Sequence, residues 1–451
     1  MPQPGTAPYE GKSLRLNTAA WRSRIGSTTA YSSFGNTAFV LVSALVGLLV
    51  ARILGPADRG LLAVAFTYFS VVVAIGEVTT NQAVTYFLAR HPRSHGSIYR
   101  RISALSLGIG SISAIAFISL GILLVDIESP YGYLFVAYGI MIPLATQVTI
   151  PLFAVLAVDS RQWTRLRLLQ PLGYAVALLV AIAVGSLSLA TVAASYAFGL
   201  AVQFGWSTWT WRQIRRRIDS DQTLDREDSE HAHPDDIGWG AIFGYAINGG
   251  LGGLPRIAST MAPMLLLPLW LSPSEIGMYA VSMSLTALIA PAAVAVGLVA
   301  LPLIARSSAR ADWSATRALI HTALKRTRWV VLATATATAL AAPIAVALLL
   351  GPEFRGAGLL AAALCVPAAF LTLSTACYSI LRGLGEGRRS AIPEWIGACV
   401  IVVLMPLLLP MLGLAGVVVA ATLASIFTYV AYRRMLRLAL DNLIDSTKRA
   451  P

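Results

Sequence analysis

"LGPADRGLLAV", residues 54–64, returns as "LSPSEIGMYAV" at residues 271–281, with Leu, Pro, an acid, Gly, Ala and Val in matching places. Each copy follows one long apolar run and opens another. Proline and glycine are poor residues for a helix interior, so the phrase marks a corner between two apolar segments. Its recurrence divides the chain into two halves of similar plan.

The apolar segments themselves fix the class. Of 451 residues, 57% are hydrophobic and only 12% charged, against about 25% charged in soluble domains. The mean hydropathy is +0.71. The chain reads as an all-α polytopic membrane protein. With about 20 apolar residues needed per crossing, twelve spans are expected: 31–51, 61–89, 102–125, 134–158, 168–186, 189–211, 239–271, 278–304, 329–350, 357–381, 391–411 and 414–432. Only "GSLS" separates the fifth from the sixth, and "GLAG" the last two. The first thirty residues lack the apolar core and small-residue cleavage site of a signal peptide and read as a cytoplasmic tail.

The distribution of basic residues tests that count, because each span sends the next loop to the other side. All of the 34 basic residues except Arg52, Arg59, Arg256 and Arg355 fall in tails and loops on one face. Positive loops mark the cytoplasmic side, so both termini are expected inside and the protein in the cytoplasmic (inner) membrane. The net charge of +13 is spread over every inner loop, which suits topology and anionic lipids and argues against nucleic acid as partner.

The expected domains follow: a cytoplasmic N-terminal tail (1–30), an N-lobe of six spans (31–211), a linker (212–238), a C-lobe of six spans (239–435) and a cytoplasmic tail (436–451). The linker, "RQIRRRIDSDQTLDREDSEHAHPDDIG", is the longest inner connection, basic in its first part and acidic in its second. Two tandem bundles of like orientation form a parallel repeat, a plan in which transporters hold substrate between the halves.

The first-half stretch "RILGPADRGLLAVAFTYFSVVVAIGEVTTNQAVTYFLARH", its second copy "LSPSEIGMYAVSMSLTALIAP" and the phrase "GPEFRGAGLLAAALC" resemble the polysaccharide flippases, O-antigen-flippase-like, of the multidrug/oligosaccharidyl-lipid/polysaccharide (MOP) exporter superfamily. The resemblance covers about residues 30–435. It implies two six-helix lobes in a V, MATE-like, with an alternating-access cavity that moves a polyprenyl-diphosphate-linked oligosaccharide from the inner to the outer leaflet. It also implies a transporter rather than an enzyme, working as a monomer among membrane lipids, with a glycan polymerase and assembly proteins as expected partners. Such flippases often carry Arg-x-acid in the seventh span; here "PRIAS" keeps Arg256 and puts Ala258 in the acid's place.

The residues give their own candidates. Arg256 lies 17 residues after Trp239 and 15 before Leu271, roughly 22 to 26 Å from either end at about 1.5 Å per residue. A charge at the bilayer centre costs at least ~2.5 kcal/mol, so it needs a wet cavity or a partner. A diphosphate suits a guanidinium, which meets phosphate oxygens bidentately. The other reading is a structural arginine paired with Glu77 or with backbone carbonyls freed by Pro255. Glu77 is the deepest acid, and Asn81 falls on its helix face at i+4. The polar band "GEVTTNQ" suits a coupling H+ or Na+, or a hydrogen-bonded weld between helices. Asn248, in "NGGLGGLP", with Asn81 and Gln82, offers contacts for polar groups. Arg52, Arg59 and Arg355 fall in outer loops, to receive a headgroup or to sit in solvent.

Several patterns carry no chemistry. Cys365, Cys377 and Cys399 lack CxxC spacing, and "GLGEGRR" lacks the GK(S/T) ending of a nucleotide loop. No cofactor is expected, and an ion or substrate gradient remains as the energy source. An ion-coupled multidrug or small-molecule exporter of the same superfamily, or a non-transporting component of polysaccharide assembly, are the alternatives. A membrane glycosyltransferase would need an outer domain, and every outer loop is short.

Overall fold

The structure is a computed structural model and describes residues 18–90, 94–124, 129–224, 238–291, 304, 307, 313–384 and 390–449. Among these, eleven α-helices follow in order: α1 (Thr18–Arg90), α2 (His95–Leu124), α3 (Pro130–Val158), α4 (Ser160–Ala183), α5 (Leu189–Leu224), α6 (Trp239–Leu266), α7 (Pro273–Thr286), α8 (Trp313–Leu349), α9 (Arg355–Gly383), α10 (Ala391–Leu412) and α11 (Leu414–Arg449). Nine helical stretches among the described residues are long and apolar enough to cross a membrane. The first of them, Phe34–Glu77, has 44 residues, twice what one crossing needs. It folds into two arms at Gly55, whose φ of 76° is left-handed. Phe39, before that corner, and Phe66, after it, line the same cavity, so the arms lie side by side.

The Pro-containing phrases make the corners. Pro56 follows left-handed Gly55, and Pro352 follows left-handed Gly351 with a φ of 90°. In the second copy Ser272 stands at the place of Gly55 and closes the corner differently. Its hydroxyl accepts from the Glu275 backbone N–H while the Glu275 carboxylate accepts from the Ser272 backbone, with Pro273 in the first turn. Such a capping box satisfies the donors that a helix end leaves open. Asp159 caps α4 by accepting from the Arg161 and Gln162 backbone N–H groups.

Helices α1–α5 pack on one core that includes Phe69, Tyr138, Ile142, Leu178 and Val192. Helices α6, α7 and α9–α11 pack on another, with Leu267, Ile276, Leu364, Met405 and Val417. Large apolar side chains such as Ile112, Leu123, Leu348 and Met411 point outward, as they do where the solvent is lipid.

The halves meet along α1, α6 and α7, and the repeated phrase does the joining. A Cβ on Gly60 would fall on the Pro273 carbonyl oxygen, and a Cβ on Gly277 on the Pro56 carbonyl oxygen. The contact is reciprocal, each copy presenting its glycine to the other's proline. Leu48 and Ala51 of α1 continue it against Val281 and Leu285, and the Tyr68 hydroxyl donates to the Leu265 carbonyl at 3.0 Å.

Candidate functional site

Arg256 sits in α6 immediately after Pro255, half-buried. One terminal nitrogen donates to Thr375 Oγ1 of α9 at 3.1 Å, and the guanidinium carbon lies 4.9 Å from the centre of the Tyr378 ring. Arg382, one turn further along α9, stacks on that same ring at 5.6 Å and donates to its hydroxyl at 3.3 Å. Two arginines therefore share one tyrosine, with Arg382 exposed near the end of α9. No carboxylate pairs with Arg256 among the described residues. The pairing with Glu77 considered from sequence is absent there too.

An acid not singled out from the sequence bonds Ser259, which stands three residues along α6 from Arg256. Glu394, near the start of α10, is 4% exposed. Its Oε2 accepts from the Ser259 hydroxyl at 2.9 Å and its Oε1 from the Tyr432 hydroxyl at 2.8 Å. Each hydroxyl has a second acceptor within reach, Ser259 the Arg256 carbonyl at 3.1 Å and Tyr432 the Ser390 carbonyl at 3.0 Å. Gly397 permits this convergence: a Cβ there would collide with Thr428 Oγ1, so α10 lies flush on α11. Ser259, Glu394, Gly397 and Thr428 wall a cavity of about 110 Å³ that Arg256 itself does not line.

In the first half, Glu77 makes no hydrogen bond or ion pair among the described residues. Thr80 is satisfied by the Gly76 carbonyl at 3.1 Å, but the buried Asn81 side-chain oxygen has no partner. Two oxygen acceptors thus stand one turn apart without donors. The side chains of Gln82 and Asn248 lie outside the described residues.

The three arginines read as outer-loop charges take different places. Arg52 donates to the Leu349 carbonyl at 2.7 Å, capping the end of α8 from the other half of the molecule. Arg355 is exposed at the start of α9, beside the corner where Glu353 approaches Gly55. Arg59 stands on a helix, not in a loop, because α1 resumes at Pro56. It points inward to a cavity of about 280 Å³ lined by Phe66, Tyr138, Gln170, Tyr174, Tyr196 and Ser284 among others. The candidates are therefore gathered at four places: the Arg256–Glu394 cluster, the Glu77–Asn81 pair, the Arg59 cavity and the Arg52 corner.

Among the described residues no group of three or more His, Cys, Asp or Glu is placed to hold a metal ion. Cys365, Cys377 and Cys399 are free thiols.

No family model matches the sequence, and no curated protein matches it. Solved structures do. The chain is similar to an inward-facing multidrug resistance MATE family transporter of the MOP superfamily (TM-score 0.69, 15% identity, 92% of this chain and 96% of that one). It is similar to the lipid II flippase MurJ in an inward closed conformation (TM-score 0.69, 11% identity, 92% and 89%). A third is a MOP superfamily transporter from Pyrococcus furiosus described by the reverse polarity of its binding pocket (TM-score 0.66, 16% identity, 92% and 96%). The fold is that of MOP transporters: a helical, multi-pass membrane architecture.

Proposed function

We propose that the chain is a flippase of the cytoplasmic membrane that moves polyprenyl-diphosphate-linked oligosaccharides outward by alternating access between its two halves. The observation that carries the reading is Arg256: a guanidinium within α6, held by Thr375 and Tyr378 and paired with no carboxylate among the described residues. Such a group is poised for an anion, and the guanidinium fork suits a diphosphate. Arg382 on the other side of Tyr378 supplies an earlier station for the same charge. The likeness to a lipid II flippase is in keeping with a lipid-linked cargo.

The coupling ion has two candidate seats. Glu77 and Asn81 present paired acceptors that an H+ or Na+ would satisfy. At Glu394, a cation or proton on the carboxylate would free Ser259 and Tyr432 to turn to the carbonyls within their reach. Asn248 and Gln82 are kept as contacts for polar parts of the cargo, and Arg355 as a headgroup contact at the corner it shares with Arg52. The expected unit is a monomer with both termini cytoplasmic, acting alongside polymerase and assembly proteins and performing no covalent chemistry of its own.

The reading is tested in cells that make the glycan, with wild type, Arg256→Ala or no protein at matched levels. Inward-facing lipid-linked glycan is expected to accumulate without the protein and with Arg256→Ala, while outward exposure falls. An unchanged pool in the absence of the protein overturns the reading and moves the weight to an ion-coupled exporter of small molecules, for which Glu77 would be the leading residue.

A further inference from the structure

The cavity around Arg59 is separate from the Arg256 cluster and has a chemistry of its own. It lies within the first half, between both arms of α1 and helices α3, α4 and α5, and reaches α7 at Ser284. Arg59 makes no hydrogen bond or ion pair among the described residues, and its Nε is buried without a partner. The hydroxyls of Tyr138, Tyr174 and Tyr196 and the side-chain amide of Gln170 are likewise unbonded there. These rings pack edge to face, with Tyr174 and Tyr196 centred 5.7 Å apart and Phe66 and Tyr196 5.1 Å apart. The aromatic packing fixes where the hydroxyls point.

A half-buried cation without a partner is costly, and here it faces groups that can all donate. Arginine and tyrosine hydroxyls offer hydrogens, and the Gln170 amide offers two more. No acid lines the cavity. A donor-rich hollow without a carboxylate is complementary to an anion. Its size is in keeping with a single sugar ring: about 280 Å³, near the lower end of the ~300–1,000 Å³ of pockets that hold small molecules. Aromatic walls suit the apolar faces of such a ring.

We infer that the Arg59 cavity is a binding subsite for a single acidic sugar, one that bears a carboxylate or a phosphate. The inference deepens the flippase reading and rests on it for the statement that this sugar belongs to the transported glycan. The subsite then selects charged repeat units over neutral ones. It is also tied to the motion of the halves. A Cβ on Gly47, in its wall, would come within 3.3 Å of Ser284 Oγ, so parting α1 from α7 opens the cavity on that side.

The test is calorimetric titration of the full chain in lipid nanodiscs with methyl glucuronide, glucose 1-phosphate and methyl glucoside. The two anions are expected to compete for one site and the neutral glucoside to bind far more weakly. Arg59→Gln should weaken both anions about tenfold or more, while Arg59→Lys, which keeps the charge, retains most of the binding. Tighter glucuronide assigns a carboxylate sugar, and tighter glucose 1-phosphate a phosphorylated one. Equal affinity for the glucoside, or anion binding unaffected by Arg59→Gln, overturns the subsite. Should Arg59→Gln not fold, the double substitution Tyr138→Phe and Tyr174→Phe takes its place, with loss of anion binding supporting the inference and unchanged binding overturning it. The assay needs no transport, so its failure leaves the lipid-linked pool experiment standing, and the reverse.

Discussion

Gly60 and Gly277 hold equivalent places in the two copies of the repeated phrase, and each is pressed against the proline carbonyl of the other copy. The contact joins the two halves where both have their Pro-led corners. Any side chain at either position must push α1 from α7.

Gly60→Ala and Gly277→Ala should therefore each weaken the closed corner by about 1–3 kcal/mol, the usual cost of overpacking a tight contact. Because the contact is reciprocal, the two substitutions should have similar effects. A strong effect from one and none from the other would contradict the paired geometry. The readout is the yield of a disulfide between cysteines placed at 47 and 284, measured in each background.

Cysteines at 47 and 284 should form a disulfide. A Cβ on Gly47 lies 3.9 Å from the Ser284 Cβ, within the ~3.5–4.5 Å range of natural disulfides. With the three native cysteines replaced by alanine, oxidation of the double variant should stop outward exposure of the glycan, and reductant should restore it. Transport that continues at full rate in the cross-linked protein would show that α1 and α7 do not part.

At Glu394 the substitutions separate shape from charge. Glu394→Ala removes two buried hydrogen bonds to a carboxylate, leaving Ser259 and Tyr432 only their carbonyl acceptors, and should cost about 1–3 kcal/mol of stability, seen as a lowered unfolding temperature. Glu394→Gln fills the same space and should fold nearly as well, yet lose transport if the carboxyl carries the coupling charge. Full transport by the glutamine variant would remove Glu394 from the coupling candidates.

Around Arg256, the order of glycan exposure should be wild type, then Arg256→Lys, then Arg256→Gln. Lysine keeps a point charge but loses the planar stack on Tyr378 and the fork that grips two oxygens. Tyr378→Leu should fall below Tyr378→Phe, since phenylalanine keeps the ring that both arginines use. Equal rates for Lys and wild type would reduce the role of the guanidinium to charge alone.

Much of the fold was legible because the bilayer imposes simple rules. The apolar runs, the basic loops and the doubled phrase led to a polytopic helical protein built around two Pro-led corners. Short separators were enough: α4 ends at Ala183 and α5 opens at Leu189, and Gly413 alone parts α10 from α11. Arg256 stood out as the one basic residue inside an apolar run, but counting along its own helix did not show its neighbours: it shares the Tyr378 ring with Arg382, near the end of α9. Glu394 was missed because one acid beside Trp395 at the head of an apolar run looks like an interface residue; its burial comes from Gly397 and Tyr432, which distant sequence supplies. Arg59 was placed in a loop because glycines bracket it at 55 and 60. The available signal was periodic: Arg59, Leu62 and Phe66 follow helical spacing, and all three line one cavity.

Gly55 bears on how the protein is made as well as on how it moves. With a single left-handed residue between them, the two arms of α1 have no polar loop to be hauled across the bilayer on its own. As the chain leaves the ribosome, the second arm must enter beside the first as one hairpin. The corner is then a step in membrane insertion, and a residue with a Cβ at 55, disfavoured at that φ and ψ by about 1–3 kcal/mol, would act first on how much protein reaches the membrane correctly threaded.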